Sequence, residues 1–153
     1  MKKIYFKEDY CMACRLCEIA CFVAHSKSKK ILKAYKEESK SAVPRLVIEQ
    51  KGPLSFAIQC RNCKDAPCLS ACVSGAMKMD KSGRITHDDE KCVGCWMCVM
   101  ACPFGVILMD TSGKKVAAKC DLCSDRNTPA CVEACPNEAL VCMEDAKKEH
   151  EKR

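Results

Sequence analysis

The sequence predicts an α+β fold of small antiparallel hairpins and short helices, and three observations predict it. Sixteen of the 17 cysteines fall into four blocks of four. A short strand-like run begins at the same offset after each of the last three blocks, and turn residues and a second strand then lead toward the next. Ordinary core residues are scarce: cysteine supplies about 11 of the 48 percentage points of hydrophobic residues, and only eight of 153 residues are aromatic. Disulfides or metal must therefore supply part of the cohesion. The spacings leave too little room for an all-helical bundle, a Rossmann domain or a hydrolase.

Taken in order, Ile4-Tyr5-Phe6 is a strand leading into block one, Cys11-x2-Cys14-x2-Cys17-x3-Cys21. The 38 residues before Cys60 are about twice the 19 and 17 that separate the later blocks. Of these, His25 to Lys40 carries six lysines with Glu37 and Glu38, and reads as a solvated face or a docking surface. Arg45 to Glu49, Gly52-Pro53 and Ser55 to Ile58 read as strand, turn and strand. Block two is Cys60-x2-Cys63-x4-Cys68-x3-Cys72, followed by the strand Ala76 to Asp80, the turn Asp80-Lys81-Ser82-Gly83 and the strand Arg84 to His87. Block three is Cys92-x2-Cys95-x2-Cys98-x3-Cys102-Pro103, with a strand at Val106 to Asp110, a turn at Asp110-Thr111-Ser112-Gly113 and a strand at Val116 to Ala118. Block four is Cys120-x2-Cys123-x7-Cys131-x3-Cys135-Pro136, followed by Ala139-Leu140-Val141-Cys142.

The spacing has a chemical reason. Three thiolates two residues apart on a tight loop can wrap three corners of one iron–sulfur cube. The fourth, three residues later at the start of a helical turn, leads away and ligates the other cluster of a pair, as in two-cluster bacterial ferredoxins. Blocks two and four carry two and five extra residues, which a loop can bulge out. The expectation is tandem ferredoxin-like units around four cubane [4Fe–4S] clusters, which form most of the core. Zinc is the alternative, since Cys-x2-Cys pairs also build zinc sites, but those draw on two well-separated pairs. Cys142 takes the position of Met79 and Met109 in the other repeats, and reads as a small apolar strand residue rather than a spare ligand.

Compartment and charge follow. Met1 to Phe6 runs into Lys7, Glu8 and Asp9 with no apolar signal region, cleavage site or Arg-Arg pair, so a cytoplasmic chain with metal-bound cysteines is expected. Cys92 to Met109, the longest uncharged stretch, holds four cysteines, two glycines and a proline, which argues against a spanning helix. The formal charge of +6 treats every cysteine as neutral. Four clusters at about −2 each would leave the loaded protein near −2, so the lysines offset cluster charge and nucleic-acid binding loses its electrostatic support. Trp96, His25 and His87 read as packing, surface or capping residues before roles in tuning or proton transfer, and the methionines as soft packing beside sulfur. The domain expectation is a four-cluster polyferredoxin domain over residues 1–143, with 22–59 inserted between blocks one and two, and a charged tail over 144–153.

The four blocks, with insertions in the second and fourth and a long segment after the first, resemble the four-cluster iron–sulfur subunits of the dimethyl-sulfoxide-reductase group. Cys17-Glu18-Ile19-Ala20-Cys21-Phe22-Val23-Ala24-His25-Ser26 is similar to the first block of short soluble members linked to carbon monoxide dehydrogenase. Other short members serve hydrogenase, formate dehydrogenase or aldehyde ferredoxin oxidoreductase. Spacing alone leaves the pairing of blocks open, one with two or one with four. The resemblance implies block one with four and two with three. Cluster one would then take Cys11, Cys14, Cys17 and Cys135, and its companion Cys120, Cys123, Cys131 and Cys21. The inner pair would take Cys60, Cys63, Cys68 and Cys102, and Cys92, Cys95, Cys98 and Cys72. No ligand position is replaced, so no three-iron centre is expected.

The resemblance implies a non-catalytic subunit of anaerobic metabolism, carrying single electrons between a catalytic metalloenzyme and a second redox protein, with any membrane contact made through a partner. A free-standing soluble polyferredoxin is the alternative, and a zinc-bound interaction module a remote one. A substrate-converting enzyme is disfavoured, because complete thiolate ligation leaves no open iron and no acid/base group stands beside the blocks.

Overall fold

The structure is a computed structural model that describes residues 2–38, 42–111 and 115–144. Lys40, Ser112, Gly113 and the expected tail beyond Glu144 lie outside these residues.

Four two-stranded antiparallel sheets carry the chain. Strand β1 (Lys2–Phe6) waits for a partner until β8 (Leu140–Glu144), with Ile4 opposite Cys142 and Phe6 opposite Leu140. Strands β2 (Leu46–Lys51) and β3 (Leu54–Gln59) form the hairpin expected between blocks one and two. Their Gly52-Pro53 loop suits a type II′ turn, whose first central residue needs positive φ, and Gly52 has φ +59°. Alternation buries Leu46 and Ile48 on one face of β2. The hairpin of β4 (Met77–Met79) and β5 (Ile85–His87) follows block two, and that of β6 (Leu108–Asp110) and β7 (Val116–Ala118) follows block three.

Helices sit on the cysteine blocks. They are α1 (Leu16–Ala24), α3 (Pro67–Ser70), α4 (Met97–Ala101) and α5 (Ala130–Glu133), with α2 (Ile31–Glu38) in the segment after block one. Two findings differ from the sequence expectation. The third cysteine of each block, not the fourth, opens the helical turn: Cys17, Cys68, Cys98 and Cys131 lie in the helices, whereas Cys72, Cys102 and Cys135 lie just past their ends. Block one departs further, because α1 continues through Cys21. Pro103 and Pro136 stop the helix after blocks three and four, and Gly75 turns the chain at φ +65° after block two. Cys21-Phe22-Val23-Ala24 contains no such stop.

The second difference is α2, where the sequence reading saw only a charged face. Its helical spacing buries Ala34 completely and leaves Leu32 and Tyr35 exposed. Glu38 fastens its end by accepting from the backbone N–H groups of Lys27 at 2.7 Å and Ser28 at 3.1 Å.

The core has two centres. One gathers Met77, Ile85, Val106, Ile107 and Ala117 around Cys60, Cys68 and Cys98. The other gathers Ile4, Leu46, Ile48, Leu122 and Leu140 around Cys17, Cys21 and Cys131. Cys120 packs against both and marks their junction. Among the described residues no helix is long and apolar enough to cross a membrane.

Candidate metal centres

The cysteine loops share one backbone device. In every block the residue two after the first cysteine has positive φ: Ala13 at 54°, Asn62 at 45°, Gly94 at 68° and Leu122 at 59°. Blocks one and three repeat it at Arg15 (58°) and Trp96 (62°), each the residue that starts its helix. A non-glycine residue in this region costs about 1–2 kcal/mol, so its adoption by three unrelated side chains, with glycine in the fourth block, points to a shared constraint. Alternating handedness turns successive N–H groups toward one point and makes an anion-receiving nest. Trp96 is thus placed by its backbone, with a half-buried ring.

The blocks are brought together in pairs. Cys11, Cys14, Cys17 and Cys135 line one cavity with Phe6, Tyr10 and Ile48. Cys131 has the thiols of Cys120, Cys21 and Cys123 as its nearest acidic neighbours, and Cys17 beyond them. Cys68 lies among Cys60, Cys102 and Cys63, and Cys98 beside Cys72 and Cys92. Cys120 also faces Cys60 across the junction. Cys14 and Cys95 are exposed, one on each half. Cys142 lies in β8, away from the four blocks in sequence, and feels the charge of Lys2.

Crowded, buried thiols resist ionisation unless a cation joins them. Burial, with Glu18 and Cys135 adding, pushes the Cys17 thiol up to about 11. Burial and Cys60 push Cys120 up to about 12. Burial likewise raises Cys68, Cys98, Cys123 and Cys131. Cys72 goes the other way: burial would raise it, but N–H donation from Met77 at 3.3 Å and contact with the Ser74 hydroxyl outweigh that. Backbone N–H groups also reach sulfur from Arg45 to Cys21 (3.2 Å), Ala139 to Cys135 (3.2 Å) and Leu122 to Cys120 (3.5 Å).

These residues fit iron–sulfur clusters. Soft thiolates in groups of four suit such a cluster, and metal binding reverses the thiol shifts. Asn62, 1% exposed between Cys60 and Cys63, has no partner for its Nδ2 donor among the described residues, and a cluster sulfur there would accept it.

Several polar residues beside the thiols carry no spacing signal. His25 donates from Nδ1 to the Cys21 carbonyl at 2.8 Å, which caps α1, and its Nε2 is 3.1 Å from Asp121. Burial would lower its pKa, but Asp121 and the Cys21 sulfur hold it at about 9. Asp121 also accepts from the Cys123 N–H at 3.0 Å. His87 lies away from the thiols, 2.8 Å from Asp89, and burial holds it below the ordinary histidine value. Lys119, adjoining Cys120, is 1% exposed. A lone charge inside Val116-Ala117-Ala118-Lys119-Cys120 is the signal that could have revealed it.

The model of the 4Fe–4S dicluster domain family matches residues 53–145. An "Iron-sulfur protein" of Rhodospirillum rubrum is 38% identical over 152 residues, covering 90% of this chain and 79% of that protein. "Electron transport protein HydN" of Escherichia coli (strain K12) is 38% identical over 154 residues, covering 91% and 86%. Among solved structures, the active site complex BamBC of benzoyl coenzyme A reductase is similar at a TM-score of 0.49 and 20% identity, over 99% of this chain and 86% of that one.

Proposed function

The chain belongs to the 4Fe–4S dicluster domain family and carries more than one [4Fe–4S] cluster, and from that premise we propose that it passes single electrons through four such clusters between a catalytic metalloenzyme and a second redox protein. Electron transport is the role for which its HydN relative is named. The observation that carries the reading is the grouping of thiols: the last cysteine of each block sits among the first three of another.

In this reading tandem ferredoxin-like units fill residues 1–143. Cys11, Cys14, Cys17 and Cys135 hold the first cluster, and Cys120, Cys123, Cys131 and Cys21 the second. Cys60, Cys63, Cys68 and Cys102 hold the third, and Cys92, Cys95, Cys98 and Cys72 the fourth. Cys120, which packs against both cores and feels the charge of Cys60, supports this order along the molecule. Each cluster supplies a one-electron centre. The chain's own residues hold it still, exclude water, and aim N–H groups at its thiolates, so little reorganises when charge changes.

The proposed setting is the cytoplasm, with a metalloenzyme of the carbon monoxide dehydrogenase, hydrogenase, formate dehydrogenase or aldehyde oxidoreductase type as partner. Anaerobic purification of the native chain tests both parts. About 16 irons and 16 sulfides per chain, with no three-iron EPR signal, are expected; about half that content would remove two of the clusters. Recovery with a stoichiometric metalloenzyme supports the dedicated subunit, and recovery alone with clusters intact would replace it with a diffusible polyferredoxin.

A further inference from the structure

Lys119 is among the most buried side chains of the described residues, at 1% exposure. Its Nζ donates to the Ile85 carbonyl at 2.7 Å and the Cys120 carbonyl at 2.8 Å. No carboxylate pairs with it among the described residues. Two carbonyls satisfy donors, but they do not neutralise a charge, and a buried ammonium without a counter-charge costs several kcal/mol. Its charge reaches thiols of both halves, Cys68 and Cys120.

The surroundings fix the ammonium in place. Ile85 N–H donates to Asn62 Oδ1 at 3.1 Å, so β5 is held between the Cys60–Cys63 loop and the lysine. Arg45 Nη1 donates to the Lys119 carbonyl at 2.5 Å, which holds the backbone from the other half. The lysine therefore stands at the junction that Cys120 and Cys60 define.

We propose that Lys119 is a fixed internal cation that raises the reduction potentials of the two clusters flanking this junction. The inference rests on the four-cluster reading above. Adding an electron to a cluster adds negative charge, and a fixed positive charge in a water-poor setting favours that state more strongly than a surface lysine could. The two central clusters have anionic neighbours on both sides, and Lys119 offsets that repulsion where the electron crosses between halves. It is a positioning residue for charge, since it ligates no iron.

Potentiometric EPR titration of the anaerobic protein tests this, with iron content measured first. Lys119→Gln keeps donors and removes the charge; Lys119→Arg keeps the charge. At fixed potential Lys119→Gln is expected to shift the reduced-to-oxidised ratio at least tenfold toward oxidised, about 59 mV, in one or two of the four centres. Lys119→Arg is expected to stay within threefold of the parent. No shift in Lys119→Gln, or an equal shift in all four centres, overturns the proposal. If Lys119→Gln holds no iron while Lys119→Arg does, the charge serves cluster assembly instead of potential and the proposal falls; if neither holds iron, the lysine is a packing residue and it falls too. Fewer than four clusters in the parent chain would instead remove the reading beneath it.

Discussion

Asp80 shows how much a single carboxylate organises outside the cysteine loops. Its Oδ1 accepts from Ser82 N–H at 2.8 Å and Arg84 N–H at 2.9 Å, and its Oδ2 lies 2.8 Å from the Arg84 guanidinium. The Ser82 hydroxyl first, and Arg84 with it, hold the Asp80 carboxyl at about 2. A depressed carboxyl stabilises the fold above its unfolded value near 3.9, and that contribution is lost only as pH falls toward about 2. Asp80→Asn should therefore lower the Tm of the loaded protein by the same amount at pH 5 and pH 8, read by anaerobic scanning fluorimetry. A deficit that grew at pH 5 would mean that the fold raises the Asp80 carboxyl instead of depressing it. The turn was legible from Asp80-Lys81-Ser82-Gly83, because its chemistry is local. Lys119 was not, because nothing within a few residues says that a lysine is enclosed by two other parts of the chain.

At the scale of the elements, one left-handed position recurs in four loops with four different residues, and this lets its cost be tested in both directions. Gly94 has φ +68°, and an added Cβ would lie 2.6 Å from the Lys115 carbonyl oxygen. Gly94→Ala is expected to cost at least about 1–3 kcal/mol and to release iron from the block-three loop first. Ala13 occupies the same position in block one at φ +54°. Ala13→Gly removes the strain at a small cost in chain entropy, so its net effect should be neutral to stabilising by up to about 1 kcal/mol. Anaerobic urea unfolding of the two variants compares them, and a destabilised Ala13→Gly would sink the strain argument. The strands and hairpins were readable because alternation and turn residues are short-range signals. Helix α2 escaped because Ile31, Ala34, Tyr35 and Glu38, though at helical spacing, are embedded among lysines that read as a solvated face. The position of the third cysteine inside each helix escaped because x3 spacing is equally satisfied by a helix that starts before it or after it.

For the whole molecule the division into two cores matters most. Ile4, 7% exposed, belongs to the core around Cys17, Cys21 and Cys131 and is absent from the other. Ile4→Ala should cost about 2–4 kcal/mol, and under the four-cluster proposal the loss should fall on the clusters held by blocks one and four. On gentle anaerobic heating, two EPR centres should disappear before the other two; simultaneous loss of all four would mean that the halves melt as one. The number of blocks was legible in the sequence, but their pairing was not, because spacing measures distance along the chain and says nothing about which loops face each other. The same separation sets a timetable. Residues 60–102, with both blocks of the inner half, leave the ribosome in one continuous stretch, so that half can close while the chain is still being made. Strand β1 precedes all four blocks, yet its partner β8 comes only after block four. Blocks one and four can therefore pair only once block four has been made, so the Cys11–Cys21 loop waits longer for its partner than either block of the other half.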